Sequence, residues 1–480
     1  MSRPFRLTID QVLFEKLYRH LFPGDRDEHG AVIAAGIGET DRGPRLLARE
    51  VFLARDGIDY VPGKLGYRAL SAEFVAHVAS YCAEQNLSYL AVHCHGGTDS
   101  VEFSDVDFQS HERGYPALVD ITKGGPVGAL VFAERAVAGD IWTMRGRHAF
   151  ERLTVVGPSV QTLFPSPPLE PQFSNSIYDR QARLFGDVGQ HILSRLKVGI
   201  IGLGGGGSLL SEWLSRLGIG HIVAVDFDQV DVTNLSRVID ASRWDAKAWL
   251  AQRRNPWLQK IGRRFARLKV DVARRVAKRA NPRIQYDAID GDVLEESTAR
   301  LLTDVDFLFL ASDSIQSRLV FNSIVHQYLI PGAQIGAKVS VGENGRIEQV
   351  SVATRPVLPF PGGGCLQCHE LIPAARLQME SLSDSERRAQ RYVDDEEIVD
   401  PSVITLNVLS AGQAANDLMM MFTGLYQPMV QLSHQIGFVR ERTRSDVESR
   451  SREVCLDCGN GPSSRRARGD RVRLPCRMPS

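Results

Sequence analysis

The run Lys197-Val198-Gly199-Ile200-Ile201-Gly202-Leu203-Gly204-Gly205-Gly206-Gly207 passes from an apolar strand into a glycine turn, and Leu209-Leu210-Ser211-Glu212-Trp213-Leu214 continues it at helical spacing. A G-x-G-x-x-G turn between a strand and a helix lets backbone amides and the helix N-terminus approach phosphate. Outward from this turn come the strand HIVAVDFD (221–228), a basic helical stretch, the helix KVDVARRVAKRA (269–280) and the strand DFLFLAS (306–312). Strands and helices alternating at this spacing predict an α/β fold with a parallel, doubly wound, Rossmann-like sheet. The glycine turn alone serves a nicotinamide-dependent dehydrogenase equally well, with one acidic residue at the end of the second strand holding the ribose.

Upstream, residues 1–157 mix apolar runs such as AVIAAG and YLAVH with the helical stretch SAEFVAHVASYCAEQN, a second α/β unit. Pro158, Pro165, Pro167, Pro168 and Pro171 predict an extended linker over 158–172. The nucleotide-type unit is expected over 173–460. Six arginines and little apolar content predict a disordered basic tail over 461–480. Between Ile239 and Leu268, Trp244, Trp249 and Trp257 stand among Arg253, Arg254, Arg263 and Arg264. A packed helical lid with a solvated basic face is the expectation there, and nucleic-acid binding is the alternative.

The chain has 480 residues, 57 basic and 57 acidic groups and seven cysteines. A length near three domains needs no disulfide staples. The zero balance excludes a polyanion binder of the whole-chain type, so no nucleic-acid partner is expected. No run approaches the roughly 20 apolar residues that span a bilayer, so no membrane partner is expected either and a cytoplasmic protein is. Two C-x-x-C pairs, Cys365 with Cys368 and Cys455 with Cys458, fit a four-thiolate structural zinc site. Cys82 falls on an apolar helix face with Phe74 and Val78 and is expected in a core.

After the glycine turn, the second strand ends Asp226-Phe227-Asp228 and runs into Asn234-Leu235-Ser236-Arg237; Lys269 opens a helix and Asp313 follows the third strand. With Tyr178-Asp179-Arg180-Gln181 ahead of the first strand, this string resembles the ThiF/MoeB/HesA adenylyltransferases, relatives of the ubiquitin-activating enzymes, from about Ser174 to Gly459. The resemblance implies adenylation of the C-terminal glycine of a small β-grasp ubiquitin-like or sulfur-carrier protein by ATP and Mg²⁺. Gly202, Gly204, Gly205 and Gly207 would cradle phosphate, and Arg237 and Lys269 would bind the triphosphate. Asp313 would hold Mg²⁺, Asp226 the ribose, and Asp228 and Asn234 would shape the pocket. Arg180 would reach the phosphates of a neighbouring subunit, which implies a homodimer. In that family the paired cysteines hold structural Zn²⁺. Segment 371–404, where a thioester-forming relative carries its cysteine, has none, so the acyl-adenylate would pass to an external thiol or conjugating enzyme.

In the first unit, His93-Cys94-His95 ends an apolar strand, which turns both imidazoles to one face and Cys94 to the other. Ser104 and Asp107 follow, and Glu28 precedes another apolar strand. Two histidines and a carboxylate leave one position of a tetrahedral zinc site for water. The set resembles the JAB/MPN (JAMM) metalloproteases over residues 10–150, although Gly96 stands where that family has proline. The resemblance implies His93, His95 and Asp107 as ligands of a catalytic Zn²⁺, Glu28 as base and Ser104 as an oxyanion-stabilising hydroxyl. His111 and Glu112 are expected at the surface. Together the halves imply a bifunctional activating and processing enzyme for one carrier. An inactive scaffold that binds a ubiquitin-like partner is the non-enzymatic alternative.

Overall fold

The computed structural model describes residues 3–61, 68–169, 176–342, 346–381, 402–427 and 430–477, so most of segment 371–404 lies outside the described residues. The chain forms two compact units. The first comprises Met1–Glu170, His326–Leu329 and Cys458–Arg473, and the second Pro171–Val325, Ile330–Asp457 and Leu474–Ser480.

The first unit is a mixed sheet of β1 (Phe5–Asp10), β2 (Gly30–Gly38), β3 (Arg45–Leu53), β4 (Ser88–Cys94), β5 (Val127–Phe132), β6 (Val137–Thr143), β7 (Gly146–Val156) and β8 (Gln161–Leu163), with α1 (Gln11–Leu21), α2 (Ala72–Gln85) and α3 (Asp105–Ile121). Its order is β1-β3-β2-β4-β5-β6-β7-β8, and β1 also pairs with β7, so the sheet closes on itself. Strand alternation sorts the core. Ala31, Ile33, Leu90, Val92 and Cys94 pack with Leu17 and Leu21 of α1, whereas Val32, Ala34 and Tyr89 pack with Val78 and Cys82 of α2 and Tyr115 and Val119 of α3. Cys82 is therefore in a core, where burial pushes its thiol up to about 12. Each helix starts on a side-chain cap: Asp10 accepts from Leu13 N, Ser71 from Phe74 N, and Ser104 from Asp107 N.

The proline-rich stretch is not a free spacer as far as it is described. β8 pairs with β7, Val137 N donates to Phe164 O at 3.0 Å and Val101 N to Pro165 O at 2.9 Å, so 158–169 belongs to the first unit. Residues 170–175 lie outside the described residues.

The second unit carries an eight-stranded sheet, β11-β10-β9-β12-β13-β14-β15-β16. β9 (Lys197–Ile201), β10 (His221–Val225), β11 (Gln285–Ile289), β12 (Phe307–Leu310) and β13 (Gly332–Val341) are parallel; β14 (Ile347–Val357), β15 (His434–Phe438) and β16 (Thr443–Val447) extend this parallel sheet with antiparallel partners. α4 (Asp179–Arg195) precedes β9, and α5 (Gly205–Leu217) follows it. The chain leaves β9 toward β10 on one side and returns to β12 on the other, which puts a topological switch point at the carboxyl ends of β9 and β12. Among the described residues no helix is long and apolar enough to cross a membrane.

Two expectations are corrected. The insert forms the short helices α6 (Ala248–Ala251) and α7 (Pro256–Arg264), but it is no packed lid. Elements of four and nine residues hide Ala248 and Gly262 and leave Trp244, Trp249 and Trp257 exposed. The basic tail is ordered through Arg477. Arg466 is buried, its Nη1 donating to Asp10 Oδ2 at 2.8 Å and its Nη2 to Arg49 O at 3.0 Å, while Arg49 donates to Arg466 O. Arg468 donates to Gln85 O at 2.7 Å, and Arg477 N to Leu294 O at 2.7 Å. The guanidinium groups of Arg466 and Arg468, part of the run that signalled disorder by composition, are instead consumed by carbonyls and a buried carboxylate.

Asp10 is both the cap of α1 and the partner of Arg466; burial raises its carboxyl despite that guanidinium. Arg466→Ala leaves a buried carboxylate uncompensated, a loss of about 3–5 kcal/mol. Amide hydrogen exchange in β1, β3 and β7 should accelerate accordingly, and exchange unchanged from wild type would return the tail to a loose arm.

Candidate functional site

The switch point of the second unit gathers most of the residues named from sequence. Gly202 has φ +88°, and a Cβ there would lie 3.1 Å from Ala311 C and Ser312 N, so the loops after β9 and β12 touch. A Cβ on Gly207 would sit 1.8 Å from Gly202 O, whereas Gly204 has nothing within 4 Å. The turn is closed beneath and open above, which is the room a phosphate group needs at a helix N-terminus. Asp313 is exposed three residues beyond β12.

Asp226, just past β10, is buried, and its carboxylate accepts from Leu203 N at 2.6 Å and Asp228 N at 2.8 Å. Burial raises its carboxyl; Lys269 and the two amides oppose that rise. Lys269 is the first residue of α8 (Lys269–Ala280), and its Nζ lies 2.6 Å from Asp228 Oδ2. Asn234 is buried in the 3₁₀ turn Val232–Ser236, its Oδ1 accepting from Asp231 N at 3.0 Å, and Arg237 closes that turn with Nη1 on Thr233 O at 3.1 Å. A Cβ on Gly205 would be 3.5 Å from Arg237 Cβ. Arg180 is not brought to this group: it is exposed on α4 and, among the described residues, has no hydrogen bond to any of the others. Its neighbour Gln181 anchors α4 instead, donating to Leu217 O at 2.8 Å.

One residue escaped the sequence reading. Asn407, on the helix Ile404–Thr423, lies where its Nδ2 would be 2.2 Å from a Cβ on Gly205. A polar residue in the first turn of a helix carries no motif, so only the fold reveals it.

The thiols of Cys365, Cys368, Cys455 and Cys458 are buried, free of disulfides and within 4.8 Å of one another. Asn322 donates to Cys365 Sγ at 3.4 Å and to Asp457 Oδ2 at 2.7 Å, and accepts from Leu366 N at 2.8 Å. Four converging thiols with a hydrogen-bonded outer shell are the donor set that zinc prefers.

In the first unit, His93, His95 and Asp107 also lie within 4.8 Å of one another. Pleat alternation sends Cys94 inward, its thiol 3.1 Å from Leu21 O, and turns His93 toward Phe103 on the other side. His93 Nε2 faces His95 Nε2 at 3.2 Å, and Asp107 lies 3.7 Å and 3.6 Å from the two nitrogens. His95 Nδ1 sits 3.2 Å from Glu102 O, a contact that keeps the proton there and leaves Nε2 its lone pair. Glu28 is 4.0 Å from His95 Nε2, and burial raises its carboxyl, offset in part by His93 and His95. Burial also opposes the charge on Asp107, but the nearby His93 and the hydrogen bonds from Ser104 prevail and hold its carboxyl well below the usual range. Ser104 is engaged: its Oγ and N donate to Asp107 Oδ2 at 2.7 and 2.8 Å in a capping box. Two imidazole nitrogens converging with a carboxylate within 4.8 Å are a donor set that fits a divalent cation. His111 is buried rather than at the surface, bonded to Asp140 Oδ2 at 2.9 Å behind Phe103.

Residues 178–445 match the ThiF family. The chain is 28% identical over 130 residues to the molybdopterin-synthase adenylyltransferase of Haemophilus influenzae, covering 27% of this chain and 46% of that one. It is 25% identical over 172 residues to the tRNA threonylcarbamoyladenosine dehydratase of Escherichia coli, covering 36% and 55%. To the sulfur carrier protein adenylyltransferase of Thermus thermophilus it is 27% identical over 197 residues, covering 40% and 62%. The chain thus spans about half the length of these relatives. With more than half of its length matched by the family and the glycine turn at the switch point, this chain belongs to the ThiF family.

Proposed function

We propose that this chain uses ATP to adenylate the C-terminal glycine of a small β-grasp protein of the ubiquitin-like or sulfur-carrier class. The observation that carries this reading is the open turn at Gly204, set at the switch point beside the loop bearing Asp313 and on the same sheet edge as Lys269 and Asp228. Two relatives named as adenylyltransferases support it.

In the reaction the carrier's carboxylate oxygen attacks the α-phosphorus of ATP, and the bond to pyrophosphate breaks with the electron pair leaving on pyrophosphate. Two anions must meet, so fixed cations and amides matter most. Amides of the turn and the N-terminus of α5 face the phosphates. Lys269 and Arg237 offset the charge that builds on the departing pyrophosphate. Asp228 keeps Lys269 in place, and Asn234 holds the turn that presents Arg237. Asp226 shapes the turn through two amides, and the remaining lone pairs of its carboxylate accept from the ribose. Asp313 holds Mg²⁺, which supplies further neutralisation of the triphosphate. Arg180, exposed on α4, serves the phosphates of a second copy in a homodimer. The four cysteines hold a structural Zn²⁺, and the acyl-adenylate passes to an external thiol or a conjugating enzyme.

For the first unit we propose a zinc isopeptidase that matures the carrier or removes it from targets. His93, His95 and Asp107 hold the ion, which supplies Lewis acidity. Glu28 takes the proton of the attacking water and returns it to the leaving amine. Ser104 positions Asp107 through the capping box.

Three outcomes test these readings. Pyrophosphate exchange that requires a Gly-Gly-ended carrier should fall by about a hundredfold or more in Lys269→Ala and in Asp313→Ala; exchange indifferent to both rejects the activation reading. Gly204→Ala should leave stability within about 0.5 kcal/mol of wild type yet weaken ATP binding, whereas Gly207→Ala should cost about 3 kcal/mol or more by overpacking. ATP binding by calorimetry that is untouched in Gly204→Ala would exclude the turn as the phosphate site. Elemental analysis should find about two zinc ions per chain, one lost in His93→Ala and the other in Cys365→Ser. One zinc in the wild type, kept in His93→Ala, would leave the first unit without its metal.

A further inference from the structure

The segment between Arg237 and Lys269 has its feet fixed and its crown open. Asp245 accepts from Ser242 N and Oγ at 3.0 and 2.6 Å and from Arg275 Nη1 at 2.9 Å, while Arg275 and Arg279 each hold Asp240 at 3.0 Å. At the far end Arg267 N donates to Asp245 O at 2.8 Å and Val230 N to Arg267 O at 2.8 Å. Between these anchors the aromatic rings face solvent: Trp244 is 72% exposed, Trp257 68%, Phe265 64% and Trp249 42%. Three indoles and a phenyl ring left in water form an exposed aromatic patch of the kind that marks an interaction surface.

The charge around the rings is one-sided. Residues 243–267 hold eight basic groups and one acid, Asp245, which is buried and already bound. Among the described residues, none of Lys247, Arg253, Arg254, Lys260, Arg263 and Arg264 has a carboxylate within ion-pair distance. Lys247 lies over the rings of Trp244 and Trp249, 5.9 and 5.3 Å from their centroids, and those rings meet edge to face at 4.5 Å. On α7, Trp257, Lys260 and Arg264 recur at helical spacing on the exposed side, and Leu258, Ile261 and Gly262 turn away from it.

We infer that this aromatic and cationic crown binds single-stranded nucleic acid. Rings interleaved with unneutralised cations on one face match a strand that alternates unstacked bases with phosphates. An acyl layer would call for the rings on one face and the cations on another, and here they share a face. Duplex presents its bases stacked and offers the rings no face. The zero net charge of the chain does not oppose this, because steering depends on the local field.

The test is fluorescence anisotropy of the full chain with a labelled oligouridylate of about twenty nucleotides, titrated between about 50 and 200 mM salt. Saturable binding is expected, weakened about tenfold or more by Trp257→Ala and by Trp244→Ala. Arg263→Ala combined with Arg264→Ala should reduce the salt slope by about 1.4, and a duplex of equal length should bind more weakly. The exposed positions leave the melting temperature unchanged, which separates lost binding from lost fold. The inference is overturned by no binding at the lowest salt, or by binding indifferent to both tryptophan substitutions. Tighter binding to phosphatidylserine vesicles or to polyglutamate also overturns it, and would assign the crown to a membrane or to an acidic protein.

Discussion

The α-carbon of Gly207 lies so close to the carbonyl of Gly202 that a side chain there would come within 1.8 Å of the oxygen. That approach lets β9 turn into α5 within a few residues and aims the helix N-terminus at the sheet edge. It also brings the first turn against the backbone at Ala311 and Ser312, so the loop carrying Asp313 cannot sit elsewhere. The same tightness explains Asp226. Its carboxylate binds the amides of Leu203 and Asp228, tying the end of β10 to the glycine turn, and Asp228 then anchors Lys269. A chain of short hydrogen bonds thus runs from the glycine turn to the cation that opens α8.

In the first unit the period of two in a strand does comparable work. β4 pairs antiparallel with β2 and parallel with β5, and its register leaves His93 opposite Gly30 on one side and Val131 on the other. Alternation puts Cys94 in the closed core and the imidazoles on the side where α3 begins. The capping box at Ser104 then fixes the first turn of α3 and swings Asp107 to the histidines. The hydroxyl named from sequence as an oxyanion donor is used one step earlier, in orienting a carboxylate. Asp107 is thus both the third residue of a capping box and a candidate metal ligand, so the cap of α3 and the proposed ion site share one carboxylate.

What was legible in the sequence follows from how local the cause is. The glycine turn, the strands around it, the paired cysteines and the His-Cys-His face are set by spacing within a few residues, and they stand where spacing put them. Features set by distant partners were not legible. Arg466 reads as one more arginine in a polar tail until Asp10, hundreds of residues earlier, supplies a buried carboxylate. His111 reads as surface until Asp140 arrives from β6, and Asn407 has no local mark at all. The proline run reads as a spacer because proline cannot donate to a ladder, yet β8 fits among those prolines by using residues 161–163. The tryptophans failed in the opposite direction: aromatic content suggested packing, but the helices carrying them are too short to cover them.

The exposed tryptophans stand among cations, which bears on the balance of charge. The chain as a whole has equal numbers of acids and bases, and that equality was the ground for setting polyanions aside. Without the 25 residues from Arg243 to Arg267, the chain keeps 49 basic and 56 acidic groups. The neutrality is therefore a sum of a compact cationic crown and an acidic remainder, and at physiological ionic strength the two are screened from each other beyond about 8 Å. A polyanion approaching the crown meets the local cations at full strength, while the acidic remainder repels it elsewhere. Equal totals thus favour one orientation of approach over all others, and net charge loses its power to exclude a partner once its distribution is known.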